Sequence, residues 1–540
     1  MGFISLKKPK INKTSDFMNM YFKKFIKIEY WIFIAIVFLH VLPILIFRHF
    51  PSMDGQAHLY NSMLLLETLK GNEFLSQFFT LNPALVPNWT GHVILMTGHH
   101  FFPAFFSEKI LLIIYLVGLP LSFRYFIKSF PEYDIITSYL IFPFVYHFLF
   151  ALGFYNYSLG LVLFFFILGL WQRRKHTLYW KDVLTFFLLF TLFYFTHVFV
   201  FVACGFLLVL WNQWDLTWDV VKSSIDQKLA FKYGKRFLVL LLSASGAIII
   251  VFNQFLSGNS INPGGNVRYS FAELAEWILK TRPIVAYNYS HEGKFGMVLF
   301  FIFAFLLGYS LIKRLRLKKV FEQDTWLFSA FAICIIFFLV PNFLGGLGGH
   351  MSTRIGIIMY LTYIIWLARE IYPSLLKSLS VLGVVVISLL LVNYYARVLN
   401  GLNRDAKAII EASWQIEENS VVLPVNLSDH WLQNHFSNYL GIDKPMIILE
   451  NYEASSGGFP LVWNSNEMPR LLLGTLAPNK SCMNWISGNG KPYVIDYLFV
   501  WGTNDNECID NIIRNVPGKI ITHGIDTSRL TLYKIDKPAI

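Results

Sequence analysis

The chain has 540 residues, of which 55% are hydrophobic, 18% are aromatic and only 14% are charged. An ordinary soluble domain has roughly 25% charged residues, so this composition argues against a soluble enzyme and indicates a membrane protein. The formal net charge is +12, but the basic residues are scattered over short loops between apolar segments, which argues against a nucleic-acid partner.

The hydrophobic pattern predicts eleven membrane-spanning helices, since a span needs about 20 mostly apolar residues. The first follows a basic N-terminal segment and has no small-residue cleavage site after it, so we expect a retained signal anchor. Residues 183–211 fit one long tilted helix or two short ones, and we prefer two because an odd total satisfies the charge distribution. The predicted spans are 29–48, 107–127, 134–151, 157–171, 181–196, 198–212, 236–256, 295–313, 325–341, 354–370 and 377–395.

The distribution of Lys and Arg predicts the orientation. Basic residues are concentrated at 1–28, 172–181, 213–236 and 313–319. Eleven spans place these four segments on one side of the membrane, which the positive-inside rule assigns to the cytoplasm. The opposite loops, around 152–156 and 342–353, contain no Lys or Arg. We therefore expect a multi-pass protein of the bacterial inner membrane with a cytoplasmic N-terminus.

The first exported loop, residues 49–106, contains the sequence MDGQAHLY at residues 53–60. Asp54 and His58 lie four residues apart and therefore share one face if this stretch is helical. They follow the first span directly, at the mouth of the predicted bundle. Further along, residues 57–69 and 93–106 are predicted to form helices on the membrane surface.

The second exported loop, residues 257–294, opens with a run of Gly, Asn and Ser. A short amphipathic helix is predicted at residues 271–280. A loop of this kind between two spans is either a mobile lid over a site or a plain connector.

Residues 396–540 differ in kind from the transmembrane bundle of residues 1–395. They contain strand-like runs at 420–424, 446–449, 493–501 and 530–535, with a helical pattern at 430–440. This alternation predicts a small α/β domain. An odd number of spans places it outside the cytoplasm.

The four cysteines agree with this division. Cys204 and Cys334 fall within predicted spans, whereas Cys482 and Cys508 both belong to the C-terminal domain. Two cysteines confined to an exported domain suggest a disulfide, and two unpaired thiols are the alternative. None of the cysteine spacings indicates a zinc site.

The arrangement resembles the C-type glycosyltransferases, multi-span membrane enzymes that take a sugar from a polyprenyl-phosphate carrier at the outer face. The resemblance rests on the acidic residue of the first exported loop, Asp54, on the surface helices after it, and on three further segments. These are GFYNYSLG at 153–160, FTHVF at 195–199 and GGLGGHMSTR at 345–354. Many members of the superfamily have a second acid in the first loop. This chain lacks it, so a divalent metal is possible but not indicated.

The resemblance implies a membrane glycosyltransferase whose acceptor is an extracytoplasmic glycan, lipid or protein. Such a transfer needs a base for the acceptor proton and a group that holds the leaving phosphate. Asp54 is expected to be the base, although it could instead cap the following helix. His58 could orient Asp54, donate to the acceptor or ligate a metal.

Arg354 is expected to bind the donor phosphate, because its guanidinium offers a bidentate fork. The alternative is an arginine that extends from a helix end towards water. His350 lies four residues before Arg354 and could assist it.

Five further polar residues are expected to line the cavity, because polar groups at this depth usually face a cavity or a partner helix. They are Tyr155, Asn156, His197, His99 and His100. Structural hydrogen bonding is the alternative role for each of them.

Two other functions remain open. A flippase or transporter of lipid-linked sugars would be expected to show charges in mid-span and internal repeats, and the sequence has few of the former and none of the latter. A non-catalytic envelope assembly factor would use the C-terminal domain as its binding module. Membrane lipid is an expected partner in every case.

Overall fold

The computed structural model describes residues 13–222, 227–256, 267–343, 349–464, 495–502, 510, 519–526 and 529–536. Most of these residues are helical. The helices are α1 Lys13–Ile46, α2 Gly55–Leu69, α3 Glu73–Phe78, α4 Trp89–Phe101, α5 Ala104–Ile127, α6 Phe148–Ala151, α7 Tyr155–Arg174, α8 Trp180–Thr196, α9 Val198–Lys222, α10 Gln227–Leu256, α11 Phe271–Leu279, α12 Tyr289–Leu317, α13 Asp324–Leu339, α14 Met351–Ala368, α15 Ser374–Ser413 and α16 Tyr452–Ser456.

Among the described residues, eight helices are long and apolar enough to cross a membrane, namely α1, α5, α7, α9, α10, α12, α14 and α15. The predicted polytopic helical fold is therefore confirmed. The predicted fifth and ninth spans correspond to α8 and α13, which have 17 and 16 residues. The division of residues 183–211 into two helices is also confirmed, because α8 ends at Thr196 and the extended backbone of His197 separates it from α9.

The predicted third span differs from a single α-helix. Residues Ile135–Phe144 form a 3-10 helix that contains Pro143, and the short helix α6 follows. Proline has no N–H and cannot continue the α-helical hydrogen-bond pattern, which is consistent with the tighter and shorter helix. The residues of this 3-10 helix from Thr137 onwards are buried among the other helices.

The helices differ in how much of their surface is covered. In the apolar window of α14, 89% of the residues are buried, against 28% in α10 and in α12. Helix α14 therefore runs through the middle of the bundle, whereas α10 and α12 expose most of their surface as lipid-facing helices do. Arg354 lies in the first turn of α14.

The C-terminal region contains a five-stranded sheet in the order β3-β2-β5-β7-β6. The strands are β2 Val421–Leu427, β3 Ile447–Ile448, β5 Tyr497–Gly502, β6 Lys519–Asp526 and β7 Leu530–Asp536. Strands β3, β2 and β5 are parallel, and β7 is antiparallel to β5 and to β6. The helical pattern at 430–440 corresponds to two 3-10 helices, Trp431–Gln433 and Phe436–Gly441.

The C-terminal region packs directly on the first loop, residues 49–106. Strand β1, Phe79–Leu81, belongs to that loop and pairs antiparallel with β4, Leu461–Trp463. The Tyr60 hydroxyl of α2 donates to the Met446 carbonyl and accepts from the Ile448 N–H, both at 2.9 Å. Loop and C-terminal region therefore form one packed unit.

Two of the four cysteines lie within the described residues. Cys204 in α9 and Cys334 in α13 are free thiols within the bundle. Cys482 and Cys508, for which a disulfide is predicted, lie outside the described residues, as do the four glycine-rich positions 345–348.

Candidate functional site

Two glycines place Asp54 against the start of α7. Gly153 has a left-handed backbone with a φ of +88°, and a Cβ atom there would lie 2.6 Å from the Gly55 nitrogen. A Cβ atom on Gly55 would in turn lie 2.2 Å from the Tyr155 hydroxyl oxygen. Only glycine permits so close an approach. The Asp54 N–H then donates to the Leu152 carbonyl at 2.9 Å, which fixes the beginning of α2.

The Asp54 side chain is not used for helix capping. Asp54 stands at the N-cap position of α2 but makes no side-chain cap hydrogen bond. The Ser52 hydroxyl accepts from the Gly55 N–H at 3.0 Å instead. The Asp54 residue is 6% exposed, and the Tyr452 hydroxyl lies within hydrogen-bonding reach of its carboxylate, although no well-aligned hydrogen bond reaches its Oδ1 atom among the described residues. A buried carboxylate needs polar neighbours of this kind, because burial of a charge without them is costly.

The C-terminal region supplies a histidine to Asp54. His435 Nε2 lies 3.8 Å from Asp54 Oδ1, and His435 Nδ1 lies 2.7 Å from Glu450 Oε1. The His435 ring stacks on Tyr452, with 4.4 Å between ring centroids. Burial alone would lower the pKa of His435, but the Glu450 carboxylate, and to a lesser extent Asp54, raises it to about 9. His435 is therefore a cation at neutral pH.

The pKa of Asp54 results from opposing effects. Burial raises it above its ordinary value, and the nearby His435 and His58 rings act to lower it. The net direction is upward, so Asp54 is a stronger base than a solvated aspartate.

His58 contacts a glutamate that no local sequence pattern could identify. His58 Nδ1 lies 2.6 Å from Glu453 Oε1, and His92 Nε2 lies 2.7 Å from Glu453 Oε2. All three residues are buried, and their ligand atoms lie within 4.8 Å of one another. Burial by itself would raise the pKa of Glu453, but the His58 and His92 rings lower it to about 2. The glutamate is therefore ionised.

Arg354 lies at the same end of the bundle as Asp54. Its side chain is partly exposed, its guanidinium carbon is 5.3 Å from the centroid of the Phe154 ring, and its Nε atom is buried without a hydrogen-bond partner among the described residues. Phe154 directly follows Gly153, which contacts the first residues of α2. Arg354 and Asp54 are close enough to interact electrostatically.

His350 and a further arginine lie beside Arg354. His350 has a left-handed backbone with a φ of 61°, and its ring centroid is 5.7 Å from that of Phe154. Burial lowers the pKa of His350 to about 4, with help from Arg354 and Arg282, so the ring is neutral and can contribute only hydrogen bonds. The Arg282 guanidinium carbon lies 4.1 Å from the Phe148 ring centroid, which makes Arg282 a second cation near His350.

The structure gives Tyr155 and Asn156 well-defined structural contacts. The Tyr155 hydroxyl donates to Glu108 at 2.7 Å, and its ring lies 5.5 Å from that of His58. The Asn156 side chain accepts from the Gly91 N–H and donates to the Asn88 carbonyl, so it holds the beginning of α4. Asn156 thus has the structural hydrogen-bonding role that is the alternative to lining a cavity.

Of the three remaining predicted histidines, one lies near Arg354 and two lie at the end of α4. The His197 ring packs 5.2 Å from that of Tyr157, whose hydroxyl donates to the Arg354 carbonyl at 3.0 Å. His197 therefore adjoins the Arg354 end of the site. His99 and His100 lie at the end of α4, where His100 is exposed and His99 is near Asp443. No described contact joins either of these two to Asp54 or Arg354.

Four residues next to Asp54 and His58 were missed by sequence reasoning: His92, His435, Glu450 and Glu453. Glu453 lies 361 residues from His92 along the chain, and no spacing rule extends over such a separation. The MDGQAHLY segment was the only local sequence signal for this site. It contains Asp54 and His58, which belong to the first loop, and gives no information on the residues that the C-terminal region contributes.

Comparison with known proteins shows a similar fold. No family model matches this chain, and no curated protein does. Two similar solved structures are both of ArnT from Cupriavidus metallidurans. The apo structure has a TM-score of 0.53 and 11% identity, covering 93% of this chain and 97% of that chain. The structure bound to undecaprenyl phosphate has a TM-score of 0.46 and 12% identity over the same shares. The fold expected from the resemblance is thereby confirmed.

Proposed function

We propose that this chain, which shares its fold with ArnT from Cupriavidus metallidurans, is an integral membrane glycosyltransferase. It moves a sugar from a polyprenyl-phosphate donor to an extracytoplasmic acceptor, which is a glycan, a lipid or a protein. One observation carries the proposal. The buried Asp54 carboxylate and the half-buried Arg354 side chain lie at one end of the bundle, close enough to interact electrostatically, and Arg354 Nε has no hydrogen-bond partner among the described residues.

The transfer reaction uses these two groups in complementary roles. The acceptor hydroxyl attacks the anomeric carbon, and the bond between that carbon and the phosphate oxygen breaks. Asp54 Oδ1 takes the hydroxyl proton, and the phosphate leaves with the electron pair of the broken bond. A base with a raised pKa suits this step, because proton transfer is most efficient when the pKa of the base approaches the working pH.

His435 supports Asp54 as a cation without a hydrogen bond to its Oδ1 atom. The 3.8 Å between His435 Nε2 and Asp54 Oδ1 is too long for a hydrogen bond. The charge of His435 and the Tyr452 hydroxyl therefore both favour the ionised form of Asp54, the form that accepts the proton of an acceptor hydroxyl.

The leaving phosphate is bound at the Arg354 end of the site. Arg354 offers a bidentate fork, and the Phe154 ring restricts the orientation of its guanidinium. Arg282 adds a second positive charge near His350. His350 is neutral and contributes a hydrogen bond.

The test is mass spectrometry of lipid-linked and surface glycans in a strain that lacks this protein. We expect one sugar to be missing, and wild-type protein to restore it. Asp54→Asn should not restore it, whereas Asp429→Asn, at an exposed acid of the C-terminal region, should. Equal amounts of both variants in the membrane are the control for folding. Full restoration by Asp54→Asn would contradict the proposal and favour an assembly factor.

A further inference from the structure

A polar cleft lies beside the candidate site, between helix α15 and the C-terminal region. It opens to solvent and has a volume of about 440 Å³, which is within the range of cavities that hold small ligands. Its polar lining comprises Arg404 and Asp405 from α15, and His430 and Arg529 from the C-terminal region. A lining of this kind suits a polar ligand and not a lipid tail.

Helix α15 places the cleft just beyond the membrane. The helix has 40 residues and is therefore about 60 Å long, roughly twice the thickness of the hydrocarbon core. Arg404 and Asp405 belong to its second half. The neighbouring Asn403 side chain accepts from the His49 N–H at 2.9 Å, and His49 follows the first span. The cleft therefore lies at the end of the bundle that holds Asp54.

A short segment of the C-terminal region connects the cleft to the candidate site. His430 lines the cleft, and the ring of the next residue, Trp431, lies 6.1 Å from that of Phe148 in the bundle. Five residues after His430, His435 adjoins Asp54. Five residues span at most about 18 Å even when fully extended. One ligand of a few sugar units can therefore occupy the cleft and reach Asp54.

The cleft contains a hydrogen-bond acceptor as well as donors. Asp405 accepts from Arg529 at 3.2 Å and from Gln433 at 2.7 Å, and a carboxylate has lone pairs for further donors. His430 Nδ1 accepts from the Leu432 N–H at 3.3 Å. Burial lowers the pKa of His430, so the ring is neutral and its Nε2 atom carries the hydrogen. A ligand with hydroxyl groups can use the acceptor and the donors, whereas a simple anion can use only the donors.

The charged side chains of the cleft carry one positive charge in excess. Arg529 forms an ion pair with Asp405. Arg404 is exposed and makes no ion pair within the part of the chain that the structure describes. One carboxylate would neutralise this excess charge, whereas a phosphate dianion would reverse it. The arginine fork can hold a carboxylate through two parallel hydrogen bonds.

We propose that this cleft binds a saccharide with a single carboxylate, of the uronic acid kind, as part of the acceptor. Arg404 binds the carboxylate, and Asp405 and His430 bind hydroxyl groups of the same sugar. The adjoining sugar unit is then presented to Asp54. This inference rests on the proposed function and names the chemical class of its acceptor.

The test is the melting temperature of the full-length protein, purified in detergent and titrated with glucuronate, glucose, acetate or glucose 6-phosphate. A ligand that binds only the folded state raises the melting temperature. We expect glucuronate to bind at least about tenfold more tightly than glucose, which lacks the charge, and than acetate, which lacks the hydroxyl groups. Glucose 6-phosphate should bind more weakly than glucuronate. No shift with glucuronate, or equal affinity for glucuronate and any other probe, would overturn the inference.

Arg404→Gln should lower the affinity for glucuronate about tenfold or more, because a charge-assisted contact is lost. Lys407→Gln is the matched control, since Lys407 is an exposed cation on the same helix but does not line the cleft, and it should bind glucuronate as the wild type does. Equal affinities of the two variants would contradict the role of the cleft. The selectivity of the wild type among the four probes does not depend on the folding of any variant.

These measurements need no sugar transfer, so they separate this inference from the proposed function. Glucuronate binding by a protein whose loss removes no sugar from lipid-linked or surface glycans would support the cleft as a binding site and contradict the proposed function. Restoration of a missing sugar by wild-type protein that does not bind glucuronate would overturn the inference about the cleft alone.

Discussion

At the scale of single residues, the site is defined by charges without full partners. Among the described residues, Asp54 Oδ1 is buried and accepts no well-aligned hydrogen bond, with the Tyr452 hydroxyl beside the carboxylate, and Arg354 Nε donates none. A protein tolerates such groups mainly where a ligand or a reaction step satisfies them. Asp54 and Arg354 have opposite charges but make no direct ion pair among the described residues.

Arg354→Lys is expected to weaken donor binding. The positive charge remains, but the planar fork that can hold two phosphate oxygens is lost. Loss of one hydrogen bond between charged groups costs about 1.5–3 kcal/mol, which corresponds to about tenfold or more in affinity. Binding of a polyprenyl phosphate to purified protein in detergent would measure this effect. Arg369→Lys is the control, because Arg369 lies at the opposite end of the same helix. Equal affinities of Arg354→Lys and wild type would remove Arg354 from the donor site.

His435 predicts a pH dependence of stability. Its pKa in the folded protein is about 9, above the ordinary value of 6.5. The stabilisation is therefore fully present below about pH 6.5 and is lost as the pH rises through about 9. The melting temperature of the wild type should fall over this range more steeply than that of His435→Gln. Identical pH profiles of the two proteins would show that His435 is not held as a cation.

At the scale of elements, the close contact between α2 and the turn before α7 determines where Asp54 lies. Gly153 combines a positive φ with a position where a Cβ atom would clash with the Gly55 nitrogen. Gly71 has a similar φ of +85°, but nothing lies within 4 Å of the place where its Cβ would be. An alanine at Gly71 would suffer backbone strain alone, whereas an alanine at Gly153 would suffer both backbone strain and a steric clash. Comparison of the two substitutions therefore isolates the effect of the clash.

Gly153→Ala is expected to lower stability and activity more than Gly71→Ala. Both substitutions place alanine at a positive φ, which costs more than about 1 kcal/mol when the native conformation does not suit the new residue. Only Gly153→Ala must also push the start of α2 away, and Asp54 moves with it. Thermal unfolding and sugar transfer of the two variants in parallel would measure the difference. If the two variants behave alike, the contact does not position the site.

Some elements could be predicted from the sequence and others could not. Spans such as α5 and α12 are continuous apolar runs, so each can be recognised from local composition. The predicted third span is also apolar, but composition alone does not distinguish an α-helix from the 3-10 helix that contains Pro143. Asp54 and Arg354 were found because each stands beside a recognisable boundary of a span. His435 and Glu453 come near Asp54 and His58 only through folding of the C-terminal region, which no local pattern describes.

At the scale of the whole molecule, the candidate site is built from residues of both the bundle and the C-terminal region. Strand pairing between β1 and β4, the Tyr60 hydrogen bonds and the contacts of Glu453 all join it to the first loop. His435 approaches Asp54 from the same region. Rigid attachment of this region is therefore expected to be necessary for activity.

Tyr60→Phe tests this attachment. The change removes one hydroxyl and leaves the Met446 carbonyl and the Ile448 N–H buried without that partner. An unsatisfied buried group costs about 1–3 kcal/mol, so hydrogen exchange around residues 446–448 should become faster and sugar transfer slower. Tyr439→Phe is the matched control, since the Tyr439 hydroxyl is also buried but has no hydrogen-bond partner among the described residues. Equal exchange rates in the two variants would contradict the role of Tyr60.

The most direct test of the central claim is a cryo-electron microscopy structure of the full-length protein with a bound polyprenyl phosphate. The account predicts a phosphate oxygen about 3 Å from the Arg354 guanidinium, within hydrogen-bonding distance, with Asp54 facing the phosphate across an open space that an acceptor can enter. A phosphate bound at the opposite end of the bundle, for example near Lys175 and Arg236, would contradict it.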